Sequence, residues 1–214
     1  MTSRTPRRSQ LNGKTNVSGY ARWVRIGKKF VFKISNTHYT SSVFGKKFTR
    51  PMWMRGLLRY SVRDINRAEQ KNYFRYFEKA PENLLPSFPR VRKITRVKGK
   101  SILVMDAVRD FDGAASKTLA ECGVVSDPRF WKQFDSIVKW MVRENVPFMD
   151  WNPWNFMVKR VDERHSIPVL IDYKSATVGP LSIDFSRYFS FFRNRYIHRS
   201  YATIKRQFGS PENS

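Results

Sequence analysis

The residues best suited to chemistry lie in one short stretch and in a carboxylate that follows it. The stretch runs Phe148-Met-Asp-Trp-Asn-Pro-Trp-Asn155, and Asp172 comes seventeen residues after its last Asn. Phosphoryl transfer needs this set of groups: Asp150 can orient an attacking hydroxyl, while Asn155 and Asp172 can hold Mg²⁺ against the phosphates of a nucleotide. The spacing therefore predicts a phosphoryl-transfer site.

The segments on either side of this stretch are predicted to position it. Apolar residues recur at helical spacing from residue 128 to 145, and this predicted helix leads directly into Asp150. Apolar runs at 156–158 and 167–171 predict a hairpin. The amide and the second carboxylate should then emerge at neighbouring strand ends.

A second predicted hairpin lies near the start of the chain. Two alternating runs, 20–26 and 29–34, meet at a glycine. Val31 and Lys33 share one face of the second strand because side chains alternate along a strand. The place of Lys33 between two apolar residues favours a cleft, and the alternative is a surface strand residue.

Residues 61–79 change to a helical period, with Val62, Ile65 and Tyr73 along one face. Glu69 falls inside this apolar stripe. An inward position is favoured by its apolar flanks. The alternative is a surface ion pair, which contributes about 0–1 kcal/mol.

The remaining segments complete the predicted organisation. Residues 1–16 are expected to form a flexible basic arm, and residues 36–60 to form an irregular insertion that the pattern does not place. The other predicted elements are strands at 90–100 and 101–105, a polar connector at 106–113, a helical segment at 183–208 and a frayed tail at 209–214.

Charge is the second unusual property of the chain. Lys and Arg total 41 against 17 Asp and Glu, for a formal net charge of +24, and no acidic residue precedes Asp64. Such a field concentrates anions. Nucleic acid bound through residues 1–63, anionic lipid headgroups and phosphorylated glycans are all compatible partners, and so is a basic surface that only keeps the protein soluble.

Cysteine and apolar content indicate the compartment. Cys122 is the only cysteine, which excludes an internal disulfide and favours a reducing, cytoplasmic location. The sequence shows neither a signal peptide nor an apolar run of eighteen residues, so we expect a soluble protein, free or at the inner face of a membrane.

The order of these elements over residues 19–190 resembles the protein-kinase-like superfamily. In that superfamily a strand Lys contacts the nucleotide phosphates and is paired by a helix Glu, positions that Lys33 and Glu69 match. The resemblance implies that Val31 lines the adenine pocket and that the connector after Met105 is a hinge.

A closer resemblance is to a small bacterial family described as PhoP regulatory network protein YrbL. It rests on Phe32-Lys33-Ile34, on Arg67-Ala-Glu69 with Tyr73, on Asp106-Ala-Val-Arg-Asp-Phe-Asp-Gly113 and on Ile167-Pro-Val-Leu-Ile-Asp172. The Asp-Phe-Asp-Gly stretch is its most family-specific part. The resemblance implies a compact kinase-like fold without naming a substrate.

Several positions depart from the kinase pattern. Phe148-Met149 replaces the usual His-Arg, Asn152 replaces a Lys, no Gly follows Asp172-Tyr173, and only Gly13 and Gly19 are available for a phosphate-covering loop. Fewer than fifty residues follow Asp172. We therefore expect a small-molecule, lipid or glycan acceptor rather than a protein.

Three further side chains near the site have structural interpretations. Trp151 and Trp154 are expected to pack in the core or the cleft. Asp184 is expected either to brace the backbone of the catalytic loop or to cap a helix.

Taken together, these patterns predict an α+β, small two-lobed kinase-like fold with a reduced C-terminal lobe. The N-terminal lobe is expected at 17–105 and the C-terminal lobe at 106–208. The predicted activity is transfer of the ATP γ-phosphate, with Mg²⁺, to a hydroxyl of an anionic acceptor such as a glycan or lipid. The resemblance to related lipopolysaccharide core heptose kinases adds a lipopolysaccharide component to these acceptors. Two alternatives stay open: a catalytically inactive kinase-like scaffold or regulator, and a nucleic-acid-binding protein.

Overall fold

The computed structural model describes residues 7–11, 14–18, 22–35, 38–43, 46–51, 64–146, 149–174 and 190–210, and for 7–18 and 38–51 it describes the backbone alone. These residues fall into two compact units. The first contains the described residues up to Lys71 together with Arg90–Ala107, and the second contains Asn72–Pro89 and the described residues from Val108 onward.

The first unit is built on a six-stranded antiparallel sheet in the order β1-β2-β3-β4-β8-β7. A separate two-stranded hairpin pairs β5 with β6. The strands are β1 Arg7–Leu11, β2 Lys14–Ser18, β3 Arg22–Ile26, β4 Phe30–Ser35, β5 His38–Val43, β6 Lys46–Pro51, β7 Val91–Val97 and β8 Lys100–Asp106.

Two parts of this unit differ from expectation. Residues 7–11 and 14–18 form a strand pair where the composition predicts a flexible arm, and β5 and β6 form a hairpin inside the segment 36–60 that the sequence pattern does not place. Backbone hydrogen bonding between strands satisfies polar main-chain groups whatever the side chains are, so a basic, low-hydropathy segment can still form a strand.

The predicted hairpin of this sheet is present, and the strands predicted at 90–100 and 101–105 form a second one. β3 pairs with β4 across the turn at Gly27, whose N–H donates to the Phe30 carbonyl at 2.8 Å. β7 and β8 are joined by Lys98 and Gly99, both at positive φ, as a two-residue hairpin turn requires.

Helix α1 spans Ile65–Arg75, within the predicted 61–79. Residues 61–63 lie outside the described residues. The Asp64 carboxylate accepts a hydrogen bond from the Asn66 N–H at 3.0 Å, which satisfies one donor in the first turn. A short 3-10 helix, Phe77–Lys79, replaces the last part of the predicted helix.

The second unit combines helices with a three-stranded sheet in the order β11-β10-β9. Its strands are β9 Lys117–Thr118, β10 Phe156–Arg160 and β11 Ser166–Leu170, and the helices described in it are α2 Leu119–Cys122, α3 Pro128–Arg143 and α4 Ser190–Phe208. The predicted hairpin is therefore present, in the register Phe156↔Leu170.

Helix α3 begins with a side-chain cap and a proline. Asp127 accepts a hydrogen bond from the Arg129 N–H at 2.9 Å, and Pro128 occupies the first turn, where a missing N–H costs little. Its apolar stripe is buried, as the periodicity predicts. The buried members are Phe130, Trp131, Phe134, Ile137, Val138, Trp140 and Met141.

Aromatic side chains form the core behind the predicted site. Phe134 packs against Phe156, Tyr201 and Trp151, with ring centroids 4.8, 5.1 and 6.0 Å apart. Replacing a buried Phe with Ala typically costs about 3–5 kcal/mol. This core fixes α3 against the start of β10, the two elements that frame the Asp150 loop.

The α+β class is confirmed, and the described elements follow the predicted kinase-like order. The prediction assigned all of 17–105 to the first lobe, whereas the structure has residues 72–89 in the second unit. At the C-terminus, Gly209 forms a bridge with Val125 where a frayed tail was expected, and residues 211–214 lie outside the described residues. No helix in the described part of the chain is long and apolar enough to cross a membrane.

Candidate active site

Lys33 and Glu69 meet inside the first unit. Lys33 Nζ lies 2.5 Å from Glu69 Oε1, the Lys33 side chain is 7% exposed, and Glu69 is fully buried. The geometry is that of a buried ion pair and not of an exposed surface pair. A lysine held in this way presents its charge in a fixed position.

Arg22 and Asn66 complete this cluster, which we call the Glu69 cluster: Arg22, Lys33, Asn66 and Glu69. The Arg22 guanidinium donates to Glu69 Oε2, so each carboxylate oxygen has its own cation. Asn66 Nδ2 donates to the carbonyls of Lys33 and Ser101 at 3.0 and 2.9 Å, which ties α1 to β4 and β8.

Sequence reasoning did not find Arg22 or Asn66, although both leave a signal. Side chains alternate along a strand, so Arg22 and Val24 lie on the same face of β3. Val24 pairs with Lys33, and Arg22 therefore lies on the same face of the sheet as the lysine. Asn66 precedes Glu69 by three residues on the same helix face. Val31 also lies on this sheet face, half-buried and paired with Ile26 and Met105.

The second unit contains the Asp150 loop, which the backbone holds in a fixed shape. Asn152 and Asn155 both donate to the Asp150 carbonyl, through the Asn152 N–H at 2.8 Å and the Asn155 Nδ2 at 3.0 Å. Asn152 Oδ1 in turn accepts from the Trp154 N–H at 3.0 Å. Asn152, at the position where kinases commonly have a lysine, therefore stabilises the shape of the loop.

Asp172 is joined to this loop through β11. The Ile171 N–H donates to the Asn155 carbonyl at 3.0 Å, which places the residue before Asp172 against the residue that ends the loop. The Asp172 carboxylate is buried, accepts from the Lys174 N–H at 3.2 Å and forms an ion pair with Lys174 Nζ. We call Asp150, Asn155, Asp172 and Lys174 the Asp150 cluster.

Tyr173 anchors the segment that carries Asp172. Its ring is fully buried and lies 4.7 Å from the ring of Phe77, centroid to centroid, and its hydroxyl donates to the Pro89 carbonyl at 2.9 Å. Asn72 Nδ2 donates to the Tyr173 carbonyl at 2.8 Å. A residue between two members of the cluster is therefore fixed by the core, which limits movement of Asp172 and Lys174.

The surroundings of the Asp150 carboxyl group raise its pKa. Asp150 is exposed, yet the protein atoms around its carboxyl group remove part of its hydration, and this desolvation is the main cause. The positive charge of Lys174 opposes the rise, the negative charge of Asp172 adds to it, and a hydrogen bond from Asn155 lowers the pKa again.

The donor atoms of the cluster suit a hard divalent cation. Asp172 supplies carboxylate oxygens, and Asn155 directs its Nδ2 to the Asp150 carbonyl, so that its side-chain oxygen is the group that remains for a cation. Mg²⁺ binds through one or two such oxygens together with water and phosphate. Asn155 and Asp172 therefore fit Mg²⁺, with Lys174 as a competing positive charge.

Some predicted positions are outside these contacts. Phe148, Gly13, Gly19 and Asp184 lie outside the described residues. Trp151 is buried against Phe156, with ring centroids 5.3 Å apart, which is the expected packing role.

A model of the family described as PhoP regulatory network protein YrbL matches residues 92–209, more than half of the chain. The chain belongs to the YrbL family. This confirms the resemblance inferred from the sequence. The matched segment includes the whole Asp150 cluster, whereas the Glu69 cluster precedes it.

Solved structures of WbdD are also similar to this YrbL-family chain. Crystal structures described as monomeric WbdD and as the bifunctional kinase-methyltransferase WbdD share 19% and 16% identity with it, at TM-scores of 0.40 in both cases. A WbdD complex with a kinase inhibitor shares 14% identity at a TM-score of 0.44. TM-scores of this size do not decide the fold or the chemistry of the chain.

The matches cover most of this chain but a smaller part of the WbdD chains. They cover 82%, 91% and 96% of this chain but only 37%, 44% and 50% of the WbdD chains, so this chain spans half of their length or less. No curated protein sequence matches the chain significantly.

The stretch Asp110-Phe-Asp-Gly113, which lies within the residues matched by the family model, is held by Arg160 of β10. Asp110 accepts from the Arg160 N–H at 3.0 Å and from Arg160 Nε at 2.9 Å, and Asp112 also pairs with the guanidinium. The Arg160 guanidinium lies 5.2 Å from the ring centroid of Phe111. Both carboxylates therefore fix the loop against β10.

Proposed function

We propose that this YrbL-family chain is an ATP-dependent phosphotransferase that acts on a hydroxyl group. The observation that carries the proposal is the Asp150 cluster, in which hydrogen bonds connect Asp150 to Asn155 and Asn155 to the residue before Asp172. These are the carboxylate, amide and carboxylate that phosphoryl transfer uses.

Asp150 is proposed to orient the acceptor hydroxyl and to accept its proton. As the acceptor oxygen bonds to the γ-phosphorus of ATP, the bond from that phosphorus to the bridging oxygen breaks and ADP leaves. The raised pKa of Asp150 supports this role, because a carboxylate of higher pKa is a stronger proton acceptor.

Lys33 is proposed to contact the nucleotide phosphates, Glu69 to position Lys33, and Val31 to line the adenine pocket. The buried Lys33–Glu69 contact supports this assignment. Arg22 is a further positioning residue, because it holds the second oxygen of the same carboxylate.

Asn155 and Asp172 are proposed to hold Mg²⁺, which would neutralise the charge of the phosphates. For the acceptor we propose an anionic glycan, lipid or lipopolysaccharide component, supported by the formal charge of +24. A cytoplasmic location is part of the same proposal, since ATP is the phosphoryl donor.

The test is ATP binding and turnover with the full chain. Asp172→Ala is expected to abolish the Mg²⁺-dependent part of ATP binding, measured by titration calorimetry with and without Mg²⁺. Unchanged ATP affinity in that variant would remove the metal assignment. Asp162→Ala, which alters an exposed turn carboxylate, is the matched control.

Turnover is measured with labelled ATP and cell extract. Asp150→Ala is expected to keep ATP binding and to lose phosphoryl transfer by about 10²- to 10⁴-fold, the usual contribution of a positioned proton acceptor. Binding without transfer in the unaltered chain would overturn the proposed activity.

One observation favours a second function, that of a catalytically inactive kinase-like scaffold or regulator. Lys174 Nζ pairs with the Asp172 carboxylate and supplies the positive charge that a metal ion would otherwise supply. A scaffold of this kind would bind nucleotide without a requirement for Mg²⁺, and Asp150→Ala would leave all of its measurable properties unchanged.

A further inference from the structure

We propose that the outer face of the sheet in the first unit docks on an anionic lipid bilayer. This basic-aromatic face consists of the side chains of β3, β4, β8 and β7 that point away from Lys33. They are Trp23, Arg25, Phe30, Phe32, Ile34, Lys93, Thr95, Val97, Lys100, Ile102, Val104 and Asp106. The proposal goes beyond the phosphotransferase activity, because none of these residues belongs to either cluster.

The strand register places these side chains in rows. Trp23 is opposite Ile34, Ile34 is opposite Ile102, and Ile102 is opposite Thr95. Directly opposed residues of an antiparallel pair point to the same face, and neighbours along a strand point to opposite faces. The row therefore lies on the side of the sheet opposite to Lys33.

The next row has a charged residue at each end. Arg25 pairs with Phe32, Phe32 with Val104, and Val104 with Lys93. Apolar side chains thus occupy the middle of this row, where Phe32 is half-buried and Val104 is buried, and basic side chains on β3 and β7 occupy its two ends.

Large apolar side chains on this face are open to solvent. Trp23 is 53% exposed, Val97 52% and Phe30 38%, while Ile34 and Ile102 are half-buried. These three exposed side chains lie in different rows of the face, and the apolar side chains between them are half-buried (Phe32, Ile34, Ile102) or buried (Val104). Large exposed apolar side chains spread over one sheet face in this way indicate an interaction site.

The charge of the face is complementary to an anionic surface. Arg25, Lys93 and Lys100 are exposed on it. Asp106 is the only carboxylate in the four strands, and Arg92 neutralises it through two contacts of 2.7 and 2.9 Å. The face therefore offers positive charge around an apolar centre, with no unpaired carboxylate to repel phosphate headgroups.

The mixture of side chains favours a bilayer over a nucleic-acid strand. Bases stack on aromatic rings, so a stacking platform gains little from aliphatic side chains. Val97, Ile34 and Ile102 gain from the apolar boundary of a bilayer, where Trp is also enriched and basic side chains reach the headgroups.

Sedimentation with lipid vesicles tests the charge of the face. The full chain is expected to bind vesicles of phosphatidylcholine with one third phosphatidylglycerol, and to bind pure phosphatidylcholine at least about tenfold more weakly. Lys93→Glu with Lys100→Glu is expected to weaken binding to the anionic vesicles by about tenfold or more. Lys132→Glu with Lys139→Glu changes net charge equally on exposed positions of α3 and is expected to change binding less than about threefold.

A second pair of variants tests the apolar part. Trp23→Ala with Val97→Ser is expected to weaken vesicle binding about tenfold. Phe111→Ala with Val124→Ser removes similar side chains, 49% and 65% exposed, from the second unit and is expected to leave binding unchanged. Circular dichroism of every variant establishes that the loss is not caused by unfolding.

Three results would overturn the proposal. The first is absence of binding to anionic vesicles, and the second is equal loss in the face variants and their matched controls. The third is loss of binding to a thymidine oligonucleotide in the face variants without any loss of vesicle binding, since the face would then serve single-stranded nucleic acid. Asp172→Ala is expected to bind vesicles normally, so failure of the phosphotransferase proposal is distinguishable from failure of this one.

Discussion

The Glu69 cluster and the Asp150 cluster combine carboxylates with cations in opposite ways. In the first, one fully buried carboxylate has two cations, Arg22 and Lys33. In the second, Asp172 pairs with Lys174, and Asp150 is exposed. The Glu69 cluster is therefore closed, in that its carboxylate is buried and both of its oxygens are held by cations, whereas the Asp150 cluster is open, in that the Asp150 side chain is exposed.

This difference has a physical consequence. A buried ion cluster fixes the position of its members, because removing its carboxylate would leave two cations in a medium of low dielectric constant without the group they share. An exposed carboxylate remains accessible to a substrate hydroxyl, and its raised pKa makes it a stronger proton acceptor. We infer that the first cluster holds its lysine in place and that the second performs the chemistry.

The largest expected effect follows from breaking the closed cluster. Glu69→Ala leaves Arg22 and Lys33 buried without their shared carboxylate, and removal of one partner from a buried pair costs about 3–5 kcal/mol. We expect the free energy of unfolding to fall by that amount, measured by urea denaturation.

Two further variants sharpen this prediction. Glu78→Ala removes an exposed carboxylate and is expected to change the free energy of unfolding by less than about 0.5 kcal/mol. Glu69→Gln keeps the shape of the side chain but not its charge. Its free energy of unfolding should lie between those of Glu69→Ala and Glu78→Ala. A stability of Glu69→Ala equal to that of the unaltered chain would contradict the buried ion cluster.

The second prediction concerns pH and the open cluster. Phosphoryl transfer is expected to require the ionised form of Asp150, so kcat/KM should fall about tenfold per pH unit below its pKa. Because desolvation raises this pKa, the acidic limb should lie above the ordinary value of about 3.9 for Asp. A pH profile of kcat/KM measures it, and an acidic limb at or below that ordinary value would contradict the assignment.

The raised pKa of Asp150 also predicts how its ionisation affects the stability of the folded protein. The folded protein binds the Asp150 proton more tightly than the unfolded chain does, so ionisation of Asp150 above its folded pKa opposes folding. Asp150→Asn should therefore unfold at the same or a higher temperature at neutral pH while losing activity. In contrast, loss of Glu69 should lower stability and activity together.

The smallest expected effect comes from Lys174. Its ion pair with Asp172 is partly buried, and Lys174→Met is expected to lower the Mg²⁺ concentration for half-maximal nucleotide binding by about fivefold, which corresponds to roughly 1 kcal/mol. Calorimetric titration at fixed nucleotide measures this, with Lys132→Met as the control. An increase in the Mg²⁺ requirement would show that Lys174 assists metal binding and does not compete with it.

Much of the second unit was predictable from local patterns. The period of the apolar residues predicted α3, and Pro128 after Asp127 marks its start. The two short apolar runs predicted the hairpin of β10 and β11. These signals are local, because a helix stripe and a strand pair each depend on residues close in sequence.

Long-range partners were not predictable in the same way. Arg22 lies 47 residues from Glu69 along the chain, and one of many basic residues in a chain with 41 Lys and Arg cannot be selected by composition. Lys174 is close to Asp172 in sequence, yet whether its flexible side chain folds back depends on the burial of Tyr173 beside it.

The sequence by itself determined the kinds of groups in this protein: the carboxylate, amide and carboxylate spacing, the strand lysine, the family signature and the excess of positive charge. The tertiary structure alone decided which cation each carboxylate receives. Electrostatic energy depends on distance through space and on burial, and neither follows from separation along the chain. Glu69 therefore pairs with two cations inside the protein while Asp150 stays exposed, although both are acidic residues beside apolar ones.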